Sequence, residues 1–167
     1  MSRIRTFSRR FPAYHPRKGQ PTYFVEKIYK SLYLMKVVPK ELVDTFNFEI
    51  MNDDKIAPKH HTIRKGNHFK VGDTFSPRIW GDNINPKSGK KGAYQSTQII
   101  IAEDITVRKT WSFEMYGLTV LVNDKPIHNL MLSEIAKNDG LSLTDFKAWF
   151  KLPFIGQIIC WNENINY

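Results

Sequence analysis

Only one cysteine, Cys160, occurs in the 167 residues, so no disulfide can form within the chain. Zinc patterns built on paired thiols are excluded by the same count. Cys160 lies in the apolar run Ile158-Ile159-Cys160-Trp161, where a cysteine usually serves as a small buried hydrophobe. A catalytic thiol would need a neighbouring base, and the local sequence offers none. Long apolar runs are also missing. Stretches such as Ile99-Ile100-Ile101-Ala102 fall far short of the roughly 20 residues a membrane span requires. The basic start is not followed by an apolar segment, because Arg9, Arg10, Pro12 and His15 interrupt it, so it does not read as a secretory signal. A reducing cytoplasm is the expected compartment.

Acidic residues are scarce at the N-terminus. Residues 1–40 hold ten Lys or Arg and one acid, Glu26, whereas the rest of the chain carries fifteen of each sign. The whole formal charge of +9 is therefore N-terminal. Such an asymmetry suits a polyanion, RNA above all, and Arg3, Arg5, Arg9, Arg10, Arg17 and Lys18 are candidate contacts to its backbone. Phe7, Phe11 and Tyr14 interleave with these cations, as rings that stack on bases would. The alternative is a basic segment wrapped on the domain, with the same rings as anchors.

With 41% hydrophobic and 13% aromatic residues, the chain can bury a substantial core. Residues 1–20 read as extended or irregular. A helix is predicted from Pro21-Thr22 to about Met35, with Phe24, Ile28, Leu32 and Met35 at helical spacing. Phe46, Phe48 and Ile50 alternate within 42–51, as in a strand. Strands are expected at 59–64 and through 69–80, followed by a Gly- and Lys-rich loop over 81–95. One long or two short strands should occupy 97–115. A hairpin should turn at Asn123-Asp124. A short helix over Met131–Asn138 should stop at Gly140. Ser142 should cap a second one, with Phe146, Trp149 and Phe150 on its buried face. A final strand is expected over Gly156–Trp161. Short strands with a few helices give an α+β fold built on a small barrel. The predicted organisation is a basic extension with one helix over 1–50, packed on a barrel domain over 51–167.

The densest set of reactive side chains is Lys59-His60-His61-Thr62-Ile63-Arg64. A metal could draw on His60 or His61 with His68 and Asp73 nearby. The spacing fits no standard zinc pattern, so no metal and no cofactor are expected. A second chemistry pairs Lys59 with Thr62, the desolvated lysine acting as base to the hydroxyl and Arg64 holding a developing oxyanion. On an ideal strand positions 59 and 62 face opposite sides, so this pairing needs a bend after Pro58. His61, Arg64, Lys70 and Arg78 are further candidate ligand contacts. Lys87, Lys90 and Lys91, in a loop that lacks the spacing of a phosphate-binding loop, are candidates for nucleic-acid backbone.

Lys59-x-x-Thr62-x-Arg64, followed by His68-Phe69-Lys70-x-Gly72-Asp73, resembles the core of ASCH domains, a branch of the PUA-like superfamily. It is most similar to the small bacterial acetylcytidine amidohydrolases. The later stretch Asp139-Gly140-Leu141-Ser142-Leu143-Thr144-Asp145-Phe146-Lys147 and Pro153-x-x-Gly156-Gln157 match further segments of those enzymes in order. The resemblance covers roughly residues 56–161, with insertions at 81–95 and 115–128, and does not extend to the first 50. It implies a PUA-like barrel and a site using Lys59, Thr62 and a carboxylate. Asp139 stands where those enzymes have Glu, one methylene longer. Three functions follow as expectations: binding of RNA or a modified nucleoside in a cleft around Lys59, Thr62 and Arg64, hydrolysis of an acylated cytidine or similar compound, or a scaffold with no small ligand.

Overall fold

The computed structural model describes residues 2–38, 52–54 and 56–167. The strand expected over 42–51 lies outside the described residues. The fold is mixed α+β, with two sheets and three helices among the described residues. In the first sheet β1 (Arg3–Thr6) runs parallel to β3 (Thr74–Trp80), which pairs antiparallel with β4 (Gln98–Ile100) and β5 (Ile105–Thr106). The second sheet has the order β2 (His61–Lys65), β9 (Phe154–Cys160), β6 (Lys109–Tyr116), β7 (Thr119–Val122) and β8 (Lys125–Pro126), antiparallel throughout. No ladder between described strands closes the two sheets into one barrel. The chain passes directly from one to the other at a buried corner. Val107 N–H donates to the Asp73 carbonyl at 2.8 Å, and Arg108 N–H donates to the Cys160 carbonyl at 2.8 Å.

The three helices follow from their sequences. Helix α1 (Phe24–Leu34) buries Phe24, Val25, Ile28, Tyr29 and Leu32 on one face, which is the spacing of an amphipathic helix. Helix α2 (Asn129–Asn138) starts two residues earlier than its apolar pattern. His128 caps it, with Nδ1 accepting from Met131 N–H. Helix α3 (Leu143–Trp149) is capped by Ser142, whose Oγ accepts from Asp145 N–H. The hairpin turns at Asn123 and Asp124, both at positive φ, as a two-residue turn between twisted strands requires. The segment predicted as one or two strands holds three, because the chain changes sheets within it.

Aromatic side chains fill the interior. Trp161 and Phe75 lie with ring centroids 5.9 Å apart, and Phe7 packs on both at 6.5 Å. Phe113, Phe146, Phe150 and Phe154 form a second group between the β6–β9 pair and α3. The N-terminal residues belong to this architecture. β1 is a strand of the first sheet, and Phe7 and Phe11 are buried in the core, so neither ring is free to stack on a base. No helix among the described residues is long and apolar enough to cross a membrane.

Candidate functional site

Before β2 begins, the chain is not in the sheet ladder. Lys59 N–H donates to the Lys27 carbonyl of α1 at 2.9 Å, and His60 N–H to the Asn138 carbonyl of α2 at 2.7 Å. Lys59 is thus held between two helices, and the strand alternation that would have turned it away from Thr62 does not apply to it. From His61 onward the strand is regular and pairs with β9, in the register Thr62 to Ile159 and Arg64 to Gln157. Thr62 and Arg64 then share one face. Lys59, Thr62 and Arg64 all line a single cleft of about 470 Å³.

Asp139, at the end of α2, completes the floor of this cleft. Its Oδ1 accepts from Lys59 Nζ at 2.5 Å, and its backbone carbonyl accepts from the same ammonium at 2.7 Å. The backbone also comes close at this point. Gly140 sits where an added Cβ would lie 3.3 Å from Lys59 Cβ, and its φ of +76° favours glycine in any case. The pair is buried, with the two side chains 2% and 6% exposed. Burial pulls the Lys59 ammonium below the ordinary lysine value, against the attraction of Asp139. Burial alone would raise the Asp139 carboxyl, but Lys59 and His61 together bring it below its ordinary value. Lys59 Nζ also faces the Phe24 ring at 4.3 Å, which covers the cation from the α1 side.

The two adjacent histidines point different ways. His61 is fully buried beneath the cleft, with Nδ1 3.5 Å from Asp139 Oδ1 and its ring edge-on to Tyr167 at 5.7 Å. It therefore backs the carboxylate and does not reach a ligand in the cleft. His60 joins a buried network in which Ser31 Oγ lies 2.7 Å from His60 Nδ1, Trp161 Nε1–H donates to the same Oγ at 3.0 Å, and Asn162 Nδ2 lies 3.2 Å from His60 Nδ1. Burial, chiefly, lowers His60 to about 4, so it is neutral at ordinary pH. No group of three or more His, Cys, Asp or Glu among the described residues is placed to hold a metal ion.

Arg64 donates through Nη2 to the Thr6 carbonyl at 2.7 Å and lies over the Phe7 ring at 5.2 Å. Its Nε is buried without a hydrogen-bond partner, and burial lowers the group to about 10. A buried guanidinium N–H with no acceptor is costly. The walls are aromatic. Tyr14, Trp80, Tyr94 and Trp149 line the cleft, and Trp80 and Tyr94 have ring centroids 5.4 Å apart. Tyr94 comes from the 81–97 loop, which is tied together from within. Asn85 Oδ1 accepts from Lys87 N–H, and Ser96 Oγ donates to the Gly81 carbonyl. Of these rings only Tyr14 was a stacking candidate from sequence, and Trp149 was expected on the buried face of its helix. They come from loops, from the end of β3 and from the last residue of α3, and do not mark a common site until the chain is folded.

The motifs separated in sequence meet in space. Gln157 clamps the His68-Phe69-Lys70 turn, accepting from Phe69 N–H at 3.1 Å and donating to the Phe69 carbonyl at 2.7 Å. Gly156 lies against the Arg64 carbonyl, where any Cβ would collide, so β2 and β9 approach closely only with glycine there. Asp73 closes the turn by accepting from Lys70 N–H at 3.0 Å.

The remaining candidates scatter. Arg78 is bonded within its own sheet, to Ser76 Oγ and Gln98 Oε1. Arg9 pairs with Asp82, Arg10 donates to the Gly19 carbonyl, and Arg17 pairs with Asp145 at 2.7 Å over the Phe11 ring. Lys18, Lys87, Lys90 and Lys91 are exposed and none lines the cleft. Lys70 lines a separate groove with Arg3 and Arg5. Compared with known proteins, the chain matches no family model, no curated sequence and no solved structure.

Proposed function

We propose that the chain is an ASCH-type PUA-like domain whose cleft binds a nucleoside, the base lying among the aromatic rings and Arg64 meeting its polar atoms. The observation that carries this reading is the composition of the cleft. Lys59, Thr62, Arg64 and Asp139 share a floor walled by Tyr14, Trp80, Tyr94 and Trp149. A volume of about 470 Å³ suits a ligand of nucleoside size, and apolar walls with a few convergent polar groups are what such sites require. A scaffold without a ligand would need no open cleft here, and the cleft counts against it. Because two tryptophans line it, intrinsic fluorescence reports occupancy directly. Titration with cytidine and with acetylcytidine should quench that fluorescence saturably, and Trp80→Ala should weaken both. No quenching and no heat of binding with either nucleoside would refute the assignment.

A second reading, hydrolysis of an acyl amide on such a nucleoside, is favoured by the buried contact between Lys59 and Asp139. Moving a proton from Lys59 to Asp139 across this short bond yields a neutral amine, which burial favours and the lowered Asp139 carboxyl opposes. That amine accepts the Thr62 hydroxyl proton as Oγ1 attacks the acyl carbon, and Arg64 faces the oxyanion. The C–N bond breaks with proton return to the leaving amine, and water then cleaves the acyl ester. Release of acetate from acetylcytidine, lost in Lys59→Met and in Thr62→Val, is the expected result. Undiminished release in both variants would remove the proposed roles.

A further inference from the structure

Arg9 and Arg17 face acids within the fold, whereas Arg3, Arg5 and Lys70 take part in no ion pair among the described residues. These three lie together in an open groove of about 790 Å³, whose other lining includes Asn67, His68 and Thr110. Arg3 and Arg5 occupy alternate positions on β1 and therefore one face of it. Their guanidinium groups both lie over the Phe69 ring, at 5.1 and 4.4 Å from its centroid. Phe69 is itself fixed by Gln157, so two like charges are held side by side on a rigid support. No ion pair among the described residues offsets this repulsion. Burial and the charge of Arg3 both depress Arg5, and Arg5 Nε is buried without an acceptor. No acidic residue lines the groove.

We propose that this groove binds the phosphate backbone of a single-stranded nucleic acid, so that the cleft receives its nucleoside as part of a strand. Successive side chains on one face of β1 are spaced by about 7 Å, a fit for successive phosphates of an extended strand. The two sites are joined through β1. Arg5 lines the groove, and the next residue, Thr6, lines the cleft and accepts the Arg64 bond. This inference rests on the nucleoside reading of the cleft, and the two can be separated by experiment.

The probe is a short fluorescein-labelled oligocytidylate, titrated by anisotropy at a series of KCl concentrations against the full chain. Three phosphate contacts predict that Arg3→Ala/Arg5→Ala/Lys70→Ala lowers the slope of log affinity on log salt by about 2 and weakens binding by ~10-fold or more at low salt. Arg3→Lys/Arg5→Lys should keep most of the slope, which separates charge from loss of fold. Lys70→Glu, on an exposed turn, should weaken the oligonucleotide with an unchanged melting temperature. Free cytidine, lacking phosphate, should bind all of these variants as it binds the native chain. Equal affinity and slope in the triple variant, or equally effective competition by polyglutamate, would overturn the proposal. If the cleft reading alone is wrong, the oligonucleotide keeps its salt slope while Trp80→Ala and added cytidine have no effect. If the groove reading alone is wrong, cytidine still binds and the oligonucleotide gains nothing over it.

Discussion

Removing the Asp139 carboxylate tests the central feature of the cleft. In Asp139→Ala the Lys59 ammonium keeps its place, because its backbone is bonded to Lys27 and its chain is packed on Phe24. It then lies 2% exposed with no counter-ion. Breaking one side of a buried pair costs about 3–5 kcal/mol, mainly for the stranded charge. The Asp139 carbonyl still accepts one bond from Nζ, which places the loss near the lower end, at about 3 kcal/mol. Against a total stability of about 5–15 kcal/mol this is a large fraction. For a domain of this size it corresponds to a fall in Tm on the order of 10 °C. The decisive measurement is a double-mutant cycle in urea with Asp139→Ala, Lys59→Met and both together. The double variant should recover most of the loss, since the buried charge is gone with its partner, while nucleoside binding should remain impaired. A single variant within about 1 kcal/mol of the native chain, or strictly additive losses, would show that the pair is not the buried, coupled unit described above.

Three further outcomes are expected. Gly156→Ala should destabilise by about 1–3 kcal/mol or more, because the methyl group collides with the Arg64 carbonyl, and amide exchange should show β2 loosening from β9. His60, held near 4 against an ordinary 6.5, binds a proton more readily unfolded than folded. Its contribution is therefore complete above pH 6.5 and is lost as pH falls toward 4, by up to about 3 kcal/mol. Urea stability measured across that window should fall less steeply in His60→Gln than in the native chain. Tyr94→Ala removes a ring that is 81% exposed, so the melting temperature should stay within error. Cytidine affinity should nevertheless fall by about tenfold, the equivalent of about 1.4 kcal/mol of lost stacking. Unchanged affinity would take Tyr94 out of the site.

What the sequence by itself determined is local. Helical spacing set α1, the Ser142 and Gly140 signals bounded α2 and α3, and Asn123-Asp124 placed the hairpin, because each of these is decided by a few neighbouring residues. It also marked Lys59, Thr62, Arg64 and Asp139 as a set through their likeness to a known pattern. What only the tertiary structure decided depends on contacts between distant segments. Strand periodicity placed Lys59 and Thr62 on opposite faces. The bonds from Lys27 and Asn138 take Lys59 and His60 out of that periodicity, and nothing in the residues near Pro58 encodes them. The contact between Asp139 and Lys59 likewise depends on the close approach of Gly140 to Lys59, a packing of distant segments. Even the N-terminal charge, obvious as a sum, was divided only by folding. Arg9 and Arg17 find acids at positions 82 and 145, while Arg3 and Arg5 lie over the face of Phe69 and pair with no acid among the described residues. A sequence counts charges, but only the packed chain determines which of them are already neutralised.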